Sequence, residues 1–129
     1  MRKTAITSPE LTPPVGPYSQ AILVDGFLYL SGQVGQDPAT GKLVPGGVVA
    51  ETEQAFANAG AVLRAAALGF DDVVSVRVFL TRMGDYQAVN AIYGRHFAHP
   101  FPARTAVGVA ALPLGACVEI DMIARGTNR

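Results

Sequence analysis

Between Val73 and Leu80 the chain alternates almost without a break. Val74, Val76, Val78 and Leu80 point one way, and Ser75 and Arg77 point the other. That is the pattern of a half-buried strand, which needs partners at its edges and a cover on its apolar side. The flanking sequence supplies the cover. Over residues 48–68, Thr52, Ala55, Phe56, Ala59, Val62, Leu63 and Ala66 recur at helical spacing on one side. Glu51, Glu53, Asn58 and Arg64 fall largely on the other, and Gly69 stands where a helix C-cap is expected. Over residues 85–98, Tyr86, Val89, Tyr93 and Phe97 form a second apolar stripe. Asp85 sits at its start, where acidic residues are favoured, and Pro100 and Pro102 stop it.

The partners lie further out. Asp25-Gly26 is a hairpin turn signal between residues 21–24 and Phe27–Leu30. Before it, Pro9, Pro13, Pro14, Gly16 and Pro17 predict an extended, irregular arm. Residues 37–47 read as a surface loop. Near the end, residues 104–109 and 116–124 read as strands about a loop at 110–115. The order is β-β-α-β-α-β-β, an α+β fold with one sheet and two helices packed on one face. All 129 residues, 1–129, form a single domain. The other face of the sheet is left without a cover.

Half of the residues are hydrophobic and only 16% are charged. That composition fits either surface buried between subunits or a core rich in Ala and Val. Formal net charge is zero and no basic run appears, which argues against nucleic-acid binding. No apolar stretch reaches the roughly 20 residues of a membrane span. Met1-Arg2-Lys3-Thr4 has no apolar segment behind it, so no signal peptide is expected. With one cysteine, Cys117, no intrachain disulfide forms, and a cytoplasmic location is expected. His96 and His99 lack further ligands in the pattern and read as surface or helix-end histidines rather than a metal site.

The last two strands carry the chemistry. Val118, Ile120, Met122 and Ala124 share one face, while Cys117, Glu119, Asp121 and Ile123 share the other. On the preceding strand Thr105, Val107 and Val109 fit the core face, leaving Arg104, Ala106 and Gly108 on the side of Glu119. A hairpin about 110–115 would bring Arg104 and Glu119 together. Arg grips carboxylates bidentately, and Glu moves protons or polarises water. From these residues alone the pair reads more readily as a salt bridge than as a pocket floor.

Gly16-Pro17-Tyr18-Ser19-Gln20, Ser31-Gly32-Gln33, Asn90 within Val89-Asn90-Ala91-Ile92-Tyr93, Phe101-Pro102-Ala103-Arg104-Thr105 and Val118-Glu119-Ile120 occur in that order. Over essentially the whole chain this series resembles the RidA/YjgF family. The resemblance implies a chorismate-mutase-like fold and a homotrimer, with the three sheets forming an inner barrel and clefts lying between subunits. It implies a hydrolase that deaminates 2-iminobutanoate and 2-iminopropanoate to 2-keto acids, with no cofactor and no metal. Arg104 would bind the substrate carboxylate and Glu119 would activate water. Tyr18 would reach in from the neighbouring subunit. The Gly32 N–H beside Ser31 would give a second anchor, and the Ala106 carbonyl would hold the imine nitrogen or the water. Asn90 would support the pocket or interface. Many members carry a cysteine where this chain has Ala106, so a cleft thiol is not part of this expectation. Two alternatives remain. One is a pathway-specific enamine deaminase of aminoacrylate or aminomuconate type, its substrate shape set by Val15, Phe27, Ala106 and the 110–115 loop. The other is a non-catalytic regulatory module that binds small carboxylates and acts on a partner.

Overall fold

The computed structural model describes residues 2–126. Met1 and the end of the tail, 127–129, fall outside it. The order is β1 (Thr4–Ile6), β2 (Ala21–Val24), β3 (Phe27–Leu30), α1 (Gly47–Ala65), β4 (Val73–Leu80), α2 (Tyr86–His96), β5 (Ala103–Gly108) and β6 (Val118–Arg125). The expected series is present, with one more strand in front. Thr4, Ala5 and Ile6 pair antiparallel with Leu23, Ile22 and Ala21, so the arm is not irregular throughout. Its prolines begin only at Pro9, and the residues before them keep the N–H groups a ladder needs.

The strands form one sheet in the order β1-β2-β3-β6-β4-β5. Asp25 and Gly26 both take positive φ, 54° and 81°, and close the β2–β3 hairpin with Val24 opposite Phe27. β3 and β4 each run antiparallel to β6, and β4 pairs with β5 in parallel. So β3, β4 and β5 share one direction. Parallel strands need crossovers, and crossovers are right-handed. Both crossovers, β3–α1–β4 and β4–α2–β5, step the same way across the sheet. Both helices therefore land on the same face.

The hairpin expected between the last two strands does not form. β4 lies between β5 and β6, and β6 fills the gap that the first crossover leaves between β3 and β4. There β6 gains ladder bonds on both edges and places Val118, Ile120, Met122 and Ala124 in the centre of the core. Paired with β5 alone it would be an edge strand.

Facing them are Ala55, Phe56, Ala59, Val62 and Leu63 of α1, with Val89, Ile92 and Tyr93 of α2 and Phe97 just beyond it. The alternation of β4 holds from Val76 onward. A register break between Val73 and Ser75 buries Val73 and leaves Val74 47% exposed, against expectation. Glu51 and Asn58, expected on the polar side of α1, are also buried. Loops cover that side, and both side chains satisfy loop backbone. The Cys117 N–H donates to Glu51 Oε1 at 2.8 Å, and Asn58 Nδ2 donates to the carbonyls of Val34 and Gln36 at 3.2 and 2.9 Å.

α1 ends earlier than expected. Ala67 takes the left-handed conformation, and the N–H groups of Ala67 and Leu68 donate to Arg64 O and Leu63 O, both at 2.9 Å. That is a Schellman cap with alanine in the glycine position. Gly69 is extended instead, with φ −139°. On the far face of the sheet, Ile22, Tyr29, Ile123, Phe79 and Val107 surround a bidentate Arg77–Asp121 pair with bonds of 3.0 and 2.7 Å. Among the described residues nothing covers this face. Among the described residues no helix is long and apolar enough to cross a membrane.

Candidate active site

Two groups of polar side chains stand on opposite faces of the sheet. The first is built around Glu119. Beyond β3 the chain continues alongside β6, where the Gln33 N–H donates to Ile120 O at 2.7 Å and the Ile120 N–H donates to Gln33 O at 3.0 Å. This lays Gly32 against Glu119 so closely that a Cβ on Gly32 would stand 2.8 Å from the Glu119 carboxyl carbon. Only glycine allows that approach. The Gly32 N–H makes no hydrogen bond among the described residues and is open to a ligand.

The arm forms the opposite wall. Gln20 is buried, and its Oε1 accepts from the Ser8 N–H at 2.6 Å. Ser31 Oγ donates to Ser19 O at 2.6 Å, so this hydroxyl locks the backbone beside Tyr18. Tyr18 is 56% exposed and faces the same space as Ser31, Gly32 and Glu119. The cleft between them has a volume of about 440 Å³ and is open to solvent, with apolar walls that include Leu11, Pro14, Val15 and Leu114. Burial pushes the Glu119 carboxyl above its usual range, and repulsion from Asp121 adds to the effect.

The second group is built around Arg104. Its register partner on β4 is Val76, which faces the helices, whereas Glu119 pairs with Phe79, which faces away. Arg104 and Glu119 are thus on opposite faces of the sheet, not the same one. The parity expected for β5 is inverted: Arg104 and Ala106 point toward α2, while Val107 points away and is 40% exposed. Arg104 Nη1 donates to Asn90 Oδ1 at 2.6 Å and Nη2 donates to the Tyr86 hydroxyl at 2.7 Å. Cζ lies 4.7 Å from the centre of the Tyr93 ring. No acidic side chain lies within 4.0 Å of Arg104 among the described residues, so the expected salt bridge to Glu119 is absent as well.

β5 is also a free edge. The Val109 N–H donates to Leu80 O at 2.8 Å, and by alternation the backbone groups of Arg104, Ala106 and Gly108 point off the sheet. The Ala106 carbonyl is therefore exposed beside Arg104.

Of the residues expected to act together, the chain joins Tyr18, Ser31, Gly32 and Glu119 in one place and Asn90, Arg104 and Ala106 in another. Val15 and the 110–115 loop help to wall the cavity. Phe27 does not, because it pairs with Arg125 at the other end of β6 from Glu119, with the Arg125 guanidinium 5.0 Å from its ring. Tyr86 was missed as a polar group. The sign was present: Tyr86, Asn90 and Tyr93 are spaced i, i+4, i+7 and share one face of α2. The Cys117 thiol is pushed up, first by burial and then by Glu51, which suits a packed side chain and not a nucleophile.

Residues 9–126 match the endoribonuclease L-PSP family model. The chain belongs to this family, the RidA/YjgF proteins. Among its relatives, human 2-iminobutanoate/2-iminopropanoate deaminase is 50% identical over 110 residues, covering 85% of this chain and 80% of the human protein. Protein DfrA of Myxococcus xanthus is 48% identical over 126 residues, or 96% of each chain. Among solved RidA/YjgF structures, RidA from an Antarctic Psychrobacter superposes with TM-score 0.91 at 41% identity, covering 95% of this chain and 99% of that one. TdcF of E. coli, solved with bound serine, superposes with TM-score 0.89 at 30% identity, covering 96% and 99%. The chorismate-mutase-like fold expected for the family is the one observed.

Proposed function

We propose that this chain is a 2-iminobutanoate/2-iminopropanoate deaminase, a hydrolase acting on the C–N bond of small 2-imino acids. The observation that carries the reading is the state of Arg104. Its guanidinium is held by two neutral acceptors and no acid, which leaves a cation ready for a small carboxylate. Glu119 supplies the proton chemistry, since a carboxyl raised by burial takes up and returns a proton near neutrality more readily than an ordinary one.

Glu119 takes a proton from water as the water oxygen bonds to the imine carbon, and gives that proton to the imine nitrogen, which restores the carboxylate. The carbinolamine then passes its hydroxyl proton to the nitrogen, the C–N bond breaks, and keto acid and ammonia leave. The Gly32 N–H holds the second carboxylate oxygen, the Ala106 carbonyl accepts from the imine N–H, and the Tyr18 hydroxyl lines the cleft. Asn90 holds Arg104 in place. Water is the sole co-reactant, so the reaction needs no cofactor.

Arg104 and Glu119 meet between subunits. In a homotrimer the uncovered apolar faces close into an inner barrel, and the free β5 edge of one copy meets the Glu119–Gly32–Tyr18 cavity of the next. Three features support this: an apolar sheet face without a cover, an unpaired edge, and two half-sites each lacking what the other holds. Tyr18 and Glu119 then belong to one subunit and Arg104 to its neighbour. We place the protein in the cytoplasm, in keeping with its single cysteine. Zero net charge gives no attraction for a polyanion, which disfavours the nucleic-acid role that the family's description names.

A bulkier enamine is the second reading, because the walls at Val15 and Leu114 are largely exposed and leave one side of the cleft open. A trapping competition tests both. A threonine dehydratase generates 2-iminobutanoate, semicarbazide traps it, and the protein should lower the semicarbazone signal while the Arg104→Ala variant does not. No reduction by the wild-type trimer would overturn the primary reading, and activity on a bulkier imine alone would establish the second.

A further inference from the structure

Tyr86 opens α2, one turn before Asn90. A position on an apolar stripe asks only for a ring, and phenylalanine would fill it. The hydroxyl nonetheless has a partner of its own, accepting from Arg104 Nη2 at 2.7 Å while Asn90 Oδ1 accepts from Nη1 at 2.6 Å. Two acceptors one helical turn apart thus hold both terminal nitrogens of one planar group. Pinning both fixes the guanidinium plane, which decides whether a bidentate carboxylate can dock. The neutrality of the acceptors matters as much as their place. A carboxylate in either position would cancel the charge and compete with the ligand, whereas a phenol and an amide orient the cation and leave it unpaired. Three of its five N–H donors remain for a ligand.

We infer that Tyr86 is a positioning residue for deamination: its hydroxyl holds the Arg104 guanidinium in the plane that receives the substrate carboxylate. The inference rests on the reading of Arg104 as the carboxylate anchor. Tyr86→Phe keeps the ring and removes one oxygen. Losing this orienting bond while the charge stays in place weakens carboxylate binding by about 3- to 10-fold. The loss falls on KM and leaves kcat unchanged, because the carboxylate is held equally in the ground and transition states.

The experiment is calorimetric titration of wild type, Tyr86→Phe and Arg104→Ala with 2-oxobutanoate, and with 2-oxobutanamide as a probe lacking the carboxylate. Steady-state kinetics and thermal unfolding are measured on the same samples. Tyr86→Phe should bind 2-oxobutanoate about 3- to 10-fold more weakly, raise KM by the same factor, and match wild type for the amide and in Tm. Arg104→Ala should lose 2-oxobutanoate binding. If Tyr86→Phe binds like wild type while Arg104→Ala does not, the role of Tyr86 is overturned and the anchor stands. A fall in Tm and kcat at unchanged KM would make Tyr86 structural and also overturn it. If Arg104→Ala binds 2-oxobutanoate normally, the anchor reading falls and takes the inference with it.

Discussion

Glu119 rests its carboxyl group against Gly32 so closely that a Cβ there would stand 2.8 Å from the carboxyl carbon. A methyl group at position 32 must therefore push the Glu119 side chain aside. Gly32→Ala is expected to lower kcat by about 10²-fold or more, as Glu119→Gln should, because both withdraw the acid–base group from the reacting water. Gly32 is exposed, so unfolding temperature should change little. Steady-state kinetics beside thermal unfolding will decide: wild-type turnover in Gly32→Ala would mean that the placement of Glu119 does not govern the rate.

Ala67 holds the left-handed position that ends α1, with φ 59°. An L-residue with a Cβ pays roughly 1 kcal/mol there, and glycine does not. Ala67→Gly should raise Tm by a few degrees, scaled for a domain of this size. Gly69, the cap expected from the sequence, is extended, and a Cβ there would meet nothing within 4 Å. Gly69→Ala should be neutral or slightly stabilising. Paired thermal melts distinguish the two positions, and a destabilised Ala67→Gly would show that the cap is not strained.

Much of this was legible in the sequence, and the exceptions share a cause. Helical spacing located α1 and α2 because each buries one stripe on the sheet. Asp25-Gly26 located its hairpin because few residue pairs take two positive φ angles. Strand adjacency was not legible, because a local pattern does not say which strand fills the gap left by a crossover. The inverted parity of β5 follows from its place at the edge. Its inner side meets Tyr86, Asn90 and Tyr93 instead of aliphatic core, so its polar residue points in and Val107 points out. Glu51 and Asn58 misled for a related reason, being polar groups buried to hold loop backbone.

His96 ends α2 with its ring stacked on Phe56, centroids 4.4 Å apart and planes 9° apart, and with Phe70 at 5.1 Å. Burial, then the nearby Arg95, pushes its pKa below the ordinary imidazole value, against a smaller opposing pull from Glu53. The folded state therefore binds the proton less readily than the unfolded state. The stabilisation is fully present above the ordinary imidazole pKa and is lost as pH falls through the lowered folded value. Tm should fall between about pH 7 and pH 5 more steeply in wild type than in His96→Phe, which keeps a ring and cannot titrate. Parallel Tm–pH curves for the two proteins would remove His96 from the acid response.

Because Arg104 and Glu119 occupy opposite faces of one chain's sheet, the proposed site joins them only across a subunit boundary. Two inactive variants should then rescue one another. An Arg104→Ala chain still offers an intact Glu119–Gly32–Tyr18 cavity, and a Glu119→Gln chain still offers an intact Arg104–Asn90–Tyr86 edge. Each mixed trimer brings one intact edge to one intact cavity. After unfolding and refolding an equal mixture, random assortment in a cyclic trimer leaves about a quarter of all sites whole. Deaminase activity should recover to about that fraction of wild type, while each variant refolded alone stays inactive. The assortment itself can be checked by native mass spectrometry of differently tagged chains. Mixed trimers without recovered activity would show that the two residues serve the same subunit's chemistry or none, and the composite site would have to be abandoned.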